Sequence, residues 1–335
     1  MNQYTVSPAE VCWVVSDGKV GMETQAIGLA EALGFDPVVK RIQVRRPWRW
    51  LPPLWVPDPI GSLGPKKDKL APPWPDVLIA SGRQSVGVSI AIRRAAAGRT
   101  YTIQIQNPAV DPARFDTIVT PRHDRLRAPN VIETIGGMNR VTAPRLAEAA
   151  ERFGPQWSDL PRPLVAVMLG GDNKVYRMPT RIGEELGQQL ADMARREGAG
   201  LLVTPSRRTA PGVLKAIQQA LDGVPARFWD GSGDNPYMGY LALADAVVVT
   251  ADSVNMVSEA ATTGKPVYVV DLEGGSRKFS TFHADLREAG IARPFEGRLE
   301  SWRYTALRET ERAAAKIRRR LAARDHMKIR PAAVN

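Results

Sequence analysis

The stretch from Val247 to Asp271 constrains the fold more than any other part of the chain. Ala246-Val247-Val248-Val249-Thr250 is a short, β-branched apolar run, which reads as a strand buried on both faces. Polar Ala251-Asp252-Ser253 follow, then small and apolar residues at helical spacing as far as Thr262-Thr263-Gly264-Lys265, and a second apolar run over Pro266 to Val270. Strand, helix and strand with such short connections make a crossover between neighbouring parallel strands. A chain built on this unit is an α/β protein whose ligands lie beyond the carboxyl ends of its strands. Glu259 is expected at the start of the helix, on that ligand side.

The same alternation recurs twice along the chain. Val11 to Val15 is an apolar strand that ends in the turn-rich Ser16-Asp17-Gly18-Lys19, and an alanine-rich helix follows over about 23–33. Further strands are expected at 38–42, 77–80, 101–105 and 117–119, with helices near 87–97 and 143–153. A second series starts at Leu164 to Leu169 and runs through a helix at 180–197, a strand at 201–204, a helix near 213–221, a strand at 226–229 and a helix at 237–244. The expectation is therefore a doubly wound pair of Rossmann-like parallel-sheet domains facing a central cleft, the first over 1–157 and the second over 158–300. A basic helix and tail would close the chain over 301–335, with Lys316 to Arg320 and Lys328 to Arg330 carrying its charge.

Several chemistries fail on spacing. No G-x-G-x-x-G follows a strand, and no G-x-x-x-x-G-K-[ST] or G-x-S-x-G occurs. His123, His283 and His326 share no metal-ligand spacing, and no D-x-D pair is present, so no metal cofactor is expected. Cys12 is the only cysteine and reads as a buried thiol on the first strand. No apolar run is long enough to span a bilayer, and the first residues lack the features of a secretory signal. The expectation is a cytoplasmic protein.

Four strand ends of the second half are polar in a useful way. Gly170, Gly171 and Asn173 can bring backbone amides close to a phosphate, although a pair of glycines also makes an ordinary turn. Ser206 and Arg207, followed by Arg208, would put a cation beside a diphosphate, or be plain surface residues. Asn235 precedes a helix and could line a base or sugar pocket or merely cap that helix. Ser253, Asn255 and Glu259 begin the helix after the 246–250 strand. Asp252 or Ser253 would cap it, and Asn255 and Glu259, four apart, share one face. A carboxylate there can accept two ribose hydroxyls while the amides hold phosphate.

Ser253 to Glu259, with Ala260-Ala261 and Gly264-Lys265-Pro266-Val267, resembles the donor-binding segment of GT-B-fold glycosyltransferases. It is most similar to that of the N-acetylglucosaminyltransferase that completes lipid II, where the matching Glu grips the donor ribose. Over nearly the whole chain, Ser16-Asp17-Gly18-Lys19 with Gln25-Ala26, Gly170-Gly171-Asp172 and Thr204-Pro205-Ser206-Arg207-Arg208-Thr209 resemble bacterial relatives of the plant elongated-mitochondria (mitochondrial fission) family. That resemblance implies a GT-B architecture; the plant member is a dynamin-recruiting factor on the mitochondrial outer membrane. The first loop lacks the histidine of the lipid II enzyme, which leaves Asp17 as the available catalytic base.

The net charge of +11 calls for an anionic neighbour. Arg45, Arg46, Trp48, Arg49, Trp50 and Trp55 lie in a proline-rich excursion over 45–75, and this mixture of cations and tryptophans suits the headgroup region of an anionic membrane. Stacking on single-stranded nucleic acid is the other use of such residues, but no RNA-binding motif accompanies them, and no nucleic acid partner is expected. The combined expectation is an inverting, metal-independent glycosyltransferase, peripheral on the inner face of the cytoplasmic membrane. Its donor would be a nucleoside-diphosphate sugar and its acceptor a lipid-linked or cell-envelope glycan. A non-catalytic scaffold that recruits a partner, or a nucleoside-diphosphate-sugar epimerase, would use the same architecture.

Overall fold

The computed structural model describes residues 10–65 and 68–329, with side chains as far as Arg324. The chain divides into two compact units, residues 1–140 with 308–335, and residues 141–307.

The first unit opens with β1 (Cys12–Ser16), α1 (Val20–Leu33) and β2 (Val38–Arg41), and continues with β3 (Val77–Ser81), α2 (Ser85–Ala95), β4 (Tyr101–Ile105), β5 (Thr117–Pro121) and β6 (Val131–Thr134). All six strands are parallel, in the order β2-β1-β3-β4-β5-β6. β1, β3 and β4 are buried along their whole length, as strands covered on both faces must be. Their apolar runs are continuous rather than alternating for that reason. Cys12 is one of these core residues, and burial pushes its thiol up and out of reach of chemistry.

The second unit holds α3 (Ala143–Phe153), β7 (Leu164–Leu169), β8 (Tyr176–Arg177), α4 (Thr180–Glu197), β9 (Gly200–Pro205), α5 (Pro211–Ala220) and β10 (Ala226–Phe228). It continues with α6 (Tyr237–Leu243), β11 (Ala246–Thr250), α7 (Val254–Thr262), β12 (Val267–Val270), β13 (Glu273–Gly274), α8 (Arg277–Glu288) and β14 (Ala292–Pro294). Its main sheet is parallel in the order β10-β9-β7-β11-β12-β14, and β8 and β13 form a small antiparallel pair. Counted along the main sheet, this is the 3-2-1-4-5-6 order of a Rossmann fold, whose direction reverses between β7 and β11. In the first unit the reversal falls between β1 and β3. The β11–α7–β12 crossover expected from the sequence is present, with β11 and β12 paired in parallel.

The units divide at residues 140 and 307, whereas the sequence put the boundaries at 157 and 300. Two packing interactions account for the difference. At the end of α3 Phe153 stacks on Trp157, and Trp157 meets Tyr240 of α6 edge-on, 4.9 Å between centroids, which holds α3 to the second unit. The last helix, α9 (Glu309–Ile329), buries Ala313, Ala314, Ile317 and Leu321 against Ala26, Leu29, Ala30 and Leu33 in the first unit. On its basic face Lys316 and Arg319 are exposed, while three other arginines are tied down within the unit. Arg320 donates to the Asn130 and Pro129 carbonyls, Arg324 to those of Gly98 and Arg99, and Arg318 to that of Ala32. The side chains of Lys328 to Arg330 lie outside the described residues.

The described residues of the 45–75 excursion fold back on the first unit. Gly64 N donates to Gln43 O at 2.7 Å, and Ile42, Val44, Leu63 and Leu70 join a core with Trp13 and Leu78. Trp48 is half-buried and packs against that core together with Ile60 and Trp74. Arg45 is held by the Gly61 carbonyl at 2.7 Å. Of the residues expected at a membrane, Arg45, Arg46, Arg49, Trp50 and Trp55 are exposed, with Arg46 over the Trp50 ring and Leu54 also exposed. Among the described residues no helix is long and apolar enough to cross a membrane.

Candidate functional site

The polar loops of the second unit meet where its sheet reverses direction, and their centre is a residue that sequence reasoning offered only as a helix cap. Asp252 follows β11 and is buried. Its Oδ2 accepts from Gly171 N at 3.1 Å and pairs with Arg208 Nη2 at 2.7 Å, while Oδ1 accepts from Thr250 Oγ1 at 2.6 Å. The Asp252 carbonyl accepts from Asn173 Nδ2 at 3.1 Å. A buried carboxylate needs donors on each oxygen, and these come from the loops after β7, β9 and β11.

This arrangement changes the part played by four predicted residues. The amides of Gly170 and Gly171 are not bare, since Thr250 Oγ1 takes the first at 2.7 Å and Asp252 the second. The glycines serve close approach instead. A Cβ at Gly170 would stand 2.0 Å from Asp252 Oδ1, and one at Gly171 2.1 Å from the Arg208 carbonyl. Asn173 Oδ1 accepts from the amides of Val175 and Tyr176, both at 2.8 Å, so its side chain shapes its own loop. Ser206 Oγ donates to the Gly170 carbonyl and accepts from Arg208 N, each at 3.1 Å. Thr209 Oγ1 also donates to Gly170 O, at 2.5 Å. All four residues take part in the hydrogen bonds that build the crest. Arg207 is different, being exposed and without a hydrogen bond or ion pair among the described residues.

Ser253 is the N-cap of α7, as its residue type predicted, and its hydroxyl accepts from Met256 N at 3.3 Å. Asn255 stands in the first turn, half-buried. Glu259 is the sixth residue of the helix, in its second turn rather than at its start, and it shares a face with Asn255. Its Oε2 accepts from the hydroxyl of Tyr237, the first residue of α6. Burial pushes the Glu259 carboxyl up to about 7, a rise that the Tyr237 hydrogen bond partly offsets. Burial, followed by the charge of Glu259, raises Tyr237 well above the ordinary phenol range. Asn235 is exposed, and its Oδ1 accepts from Tyr237 N at 3.0 Å, which seats the start of α6.

Two further residues were read without their partners, Tyr237 only as the end of the polar segment that holds Asn235. Tyr237 lies 22 residues from Glu259, and no local pattern links them. His283 of α8 was set aside for lack of metal spacing, yet it is buried near the end of β11, where Nε2 donates to the Ala251 carbonyl at 2.8 Å. Burial lowers its pKa, and Nδ1 has no hydrogen-bond partner. The Thr250-Ala251-Asp252 tripeptide was the available signal for the hub, since a Thr and an Asp flanking one residue at a strand end can bond each other.

Asp17 belongs to the first unit, at the carboxyl end of β1 beside β3, where that sheet reverses. Its Oδ2 is held by Lys19 Nζ and by Gln84 Nε2 at 3.3 Å, while Oδ1 is buried and has no hydrogen-bond partner among the described residues. Nearby, Glu23 accepts from Ser16 Oγ and from both Nε and Nη2 of Arg41, and the Arg41 hydrogen bond holds its carboxyl below the ordinary range.

A family model described as mitochondrial fission ELM1 matches residues 20–321. Mitochondrial fission protein ELM1 of Arabidopsis thaliana is 37% identical over 280 residues, or 75% of this chain and 65% of the plant protein. The chain thus spans just under two thirds of that relative's length. An uncharacterised protein of Rickettsia prowazekii (strain Madrid E) is 27% identical, covering 91% of this chain and 97% of that protein. Among solved structures, UDP-GlcNAc 2-epimerase from Methanocaldococcus jannaschii superposes with a TM-score of 0.56 at 10% identity, over 94% of this chain and 99% of that one. At that identity the likeness is one of fold, and it matches the two Rossmann-like parallel sheets of a GT-B-type architecture. By the extent of the family match and of the plant relative's identity, this chain belongs to the ELM1 mitochondrial fission family.

Proposed function

We propose that the protein is an inverting, metal-independent glycosyltransferase that uses a nucleoside-diphosphate sugar. The observation that carries this reading is the grouping at the crest of the second unit. Glu259 is a half-buried carboxylate on the same helix as a capped N-terminus, and Arg207 is a free cation on the loop after β9. Glu259 accepts ribose hydroxyls, while Arg207 and the first-turn amides of α7 take the diphosphate and stabilise it as it leaves. Gly170 and Gly171 hold the crest in shape through Asp252. Asp17, with one carboxylate oxygen lacking a hydrogen-bond partner, is the general base that receives the acceptor's hydroxyl proton. The acceptor is a lipid-linked or cell-envelope glycan, reached at a membrane surface through Arg46, Arg49, Trp50 and Trp55.

The test is a thermal-shift and titration panel of UDP-, GDP-, ADP- and CMP-sugars on the wild type and on Glu259→Ala. Stabilisation by one nucleotide class, lost in the variant, is the expected result. Silence across the panel would remove the transferase reading and leave a partner-recruiting scaffold, which the 37% identity to a mitochondrial fission protein favours as the second reading.

A further inference from the structure

The carboxylate of Glu259 has one donor where it has room for several. An ionised carboxylate offers about four acceptor positions over its two oxygens. Among the described residues Tyr237 serves Oε2, and Oε1 accepts from none. The donor comes from a different element. α6 leads directly into β11, so its first residue stands at the carboxyl edge of the sheet, the edge from which α7 starts. Tyr237 therefore reaches Glu259 across from a neighbouring helix start. The backbone amide of Tyr237 is held by Asn235 Oδ1 at 3.0 Å, so the tyrosine is anchored where it enters the helix.

A vicinal diol is gripped best when each hydroxyl meets one oxygen of the same carboxylate. A diol that spans both oxygens takes Oε1 with its first hydroxyl, and its second hydroxyl competes with the Tyr237 phenol for Oε2. We propose that Tyr237 is a displaceable occupant of the Glu259 carboxylate, a built-in competitor that a ligand's second hydroxyl must replace. The inference rests on the nucleotide-binding reading above and adds to it a residue that sets affinity and the discrimination between one hydroxyl and two. The exchange swaps one O–H···O⁻ hydrogen bond for another, and no bond to carbon is made or broken.

The consequence is opposite in sign for the empty and the occupied protein. Removing the phenol hydroxyl takes a hydrogen bond from the empty protein and a competitor from the ligand. A merely structural Tyr237 would lower melting temperature and affinity together. The experiment is calorimetric titration of the full chain with UDP, GDP, ADP and CMP in turn, on wild type, Tyr237→Phe, Glu259→Ala and the double variant, with the 2′-deoxy form of whichever nucleotide binds.

Expected are a lower melting temperature for Tyr237→Phe without ligand, and at least threefold tighter binding of the ribonucleotide. The gain should vanish in the Glu259→Ala background, and it should vanish with the 2′-deoxy nucleotide, whose single hydroxyl takes Oε1 without disturbing Tyr237. If Tyr237→Phe binds no tighter than wild type while Glu259→Ala loses binding, the competitor role fails and the nucleotide site stands. A gain that persists without Glu259 overturns the role as well. No heat from any nucleotide in either wild type or Tyr237→Phe removes both readings.

Discussion

Glu259 is costly to the empty protein. Folding raises its pKa from the ordinary 4.5 to about 7, with burial as the main cause. Between those values the folded chain binds more protons than the unfolded chain, so stability falls as pH rises through that window. The loss is on the order of 3 kcal/mol once the group is ionised in both states. Tyr237 from α6 offsets part of it, whereas Lys265, on the α7–β12 connection, donates to the Leu241 and Ala242 carbonyls at 2.7 and 2.6 Å. Glu259→Gln should therefore melt roughly 5 °C above wild type at pH 8, and the gap should close by pH 5. Differential scanning calorimetry across that range checks it; a gap that stays constant with pH would show that Glu259 is not the group titrating. A group that costs stability when empty is what a ligand-holding carboxylate is expected to be.

The Pro/Trp/Arg excursion shows how the same residues divide between two tasks at the level of an element. Prolines rule out a regular helix, and the segment instead makes two short turns of 3₁₀ helix over Trp48–Trp50 and Pro53–Trp55. Trp48 lies against the core formed by Val44, Leu78 and Val88, while Trp50 and Trp55 are 62% and 70% exposed. Large apolar side chains so exposed, rimmed by arginines, fit an anionic interface. Replacing Trp50, Leu54 and Trp55 together with serine should abolish co-sedimentation with phosphatidylglycerol vesicles and leave the melting temperature within about 1 °C of wild type. Trp48→Ala should do the reverse, lowering stability by about 3 kcal/mol with vesicle binding intact in the folded fraction. Equal sedimentation of wild type and triple variant would remove the membrane from the proposed function.

At the scale of the molecule, the unexpected feature is that α9 returns to the first unit. Ala313, Ala314, Ile317 and Leu321 close the core beneath α1, and Arg318, Arg320 and Arg324 hold carbonyls of the same unit. The net charge of +11 thus overstates the free positive surface, because part of it is committed to internal hydrogen bonds. Ending the chain after Leu307 should expose the α1 face. Amides of β1, β3 and β4 should then exchange hydrogen at least a hundredfold faster, while those of β7, β9 and β11 keep their protection. Uniform loss of protection, or none, would contradict the division into units.

The sequence determined both sheets, since continuous β-branched runs separated by amphipathic helices leave a parallel, doubly wound arrangement as the only way to bury them. It determined the β11–α7–β12 crossover and the Ser253 cap, because capping and strand burial depend on residues within a few positions of each other. It also carried the family resemblance that the match over residues 20–321 established. Short elements such as β6 and β14, and the helix α8, were missed because the sequence reading found no strong period in them. Tertiary structure alone decided which polar groups at the crest are spent and which remain open. Glycine, serine and asparagine residues that read as a phosphate loop are engaged by one another and by Thr250, Arg208 and Asp252, a buried residue bonded from loops some 40 to 80 residues away. The partner of Glu259 was equally out of reach, because a hydrogen bond from the start of one helix to the second turn of another depends on where the sheet sets them and not on their spacing in the chain.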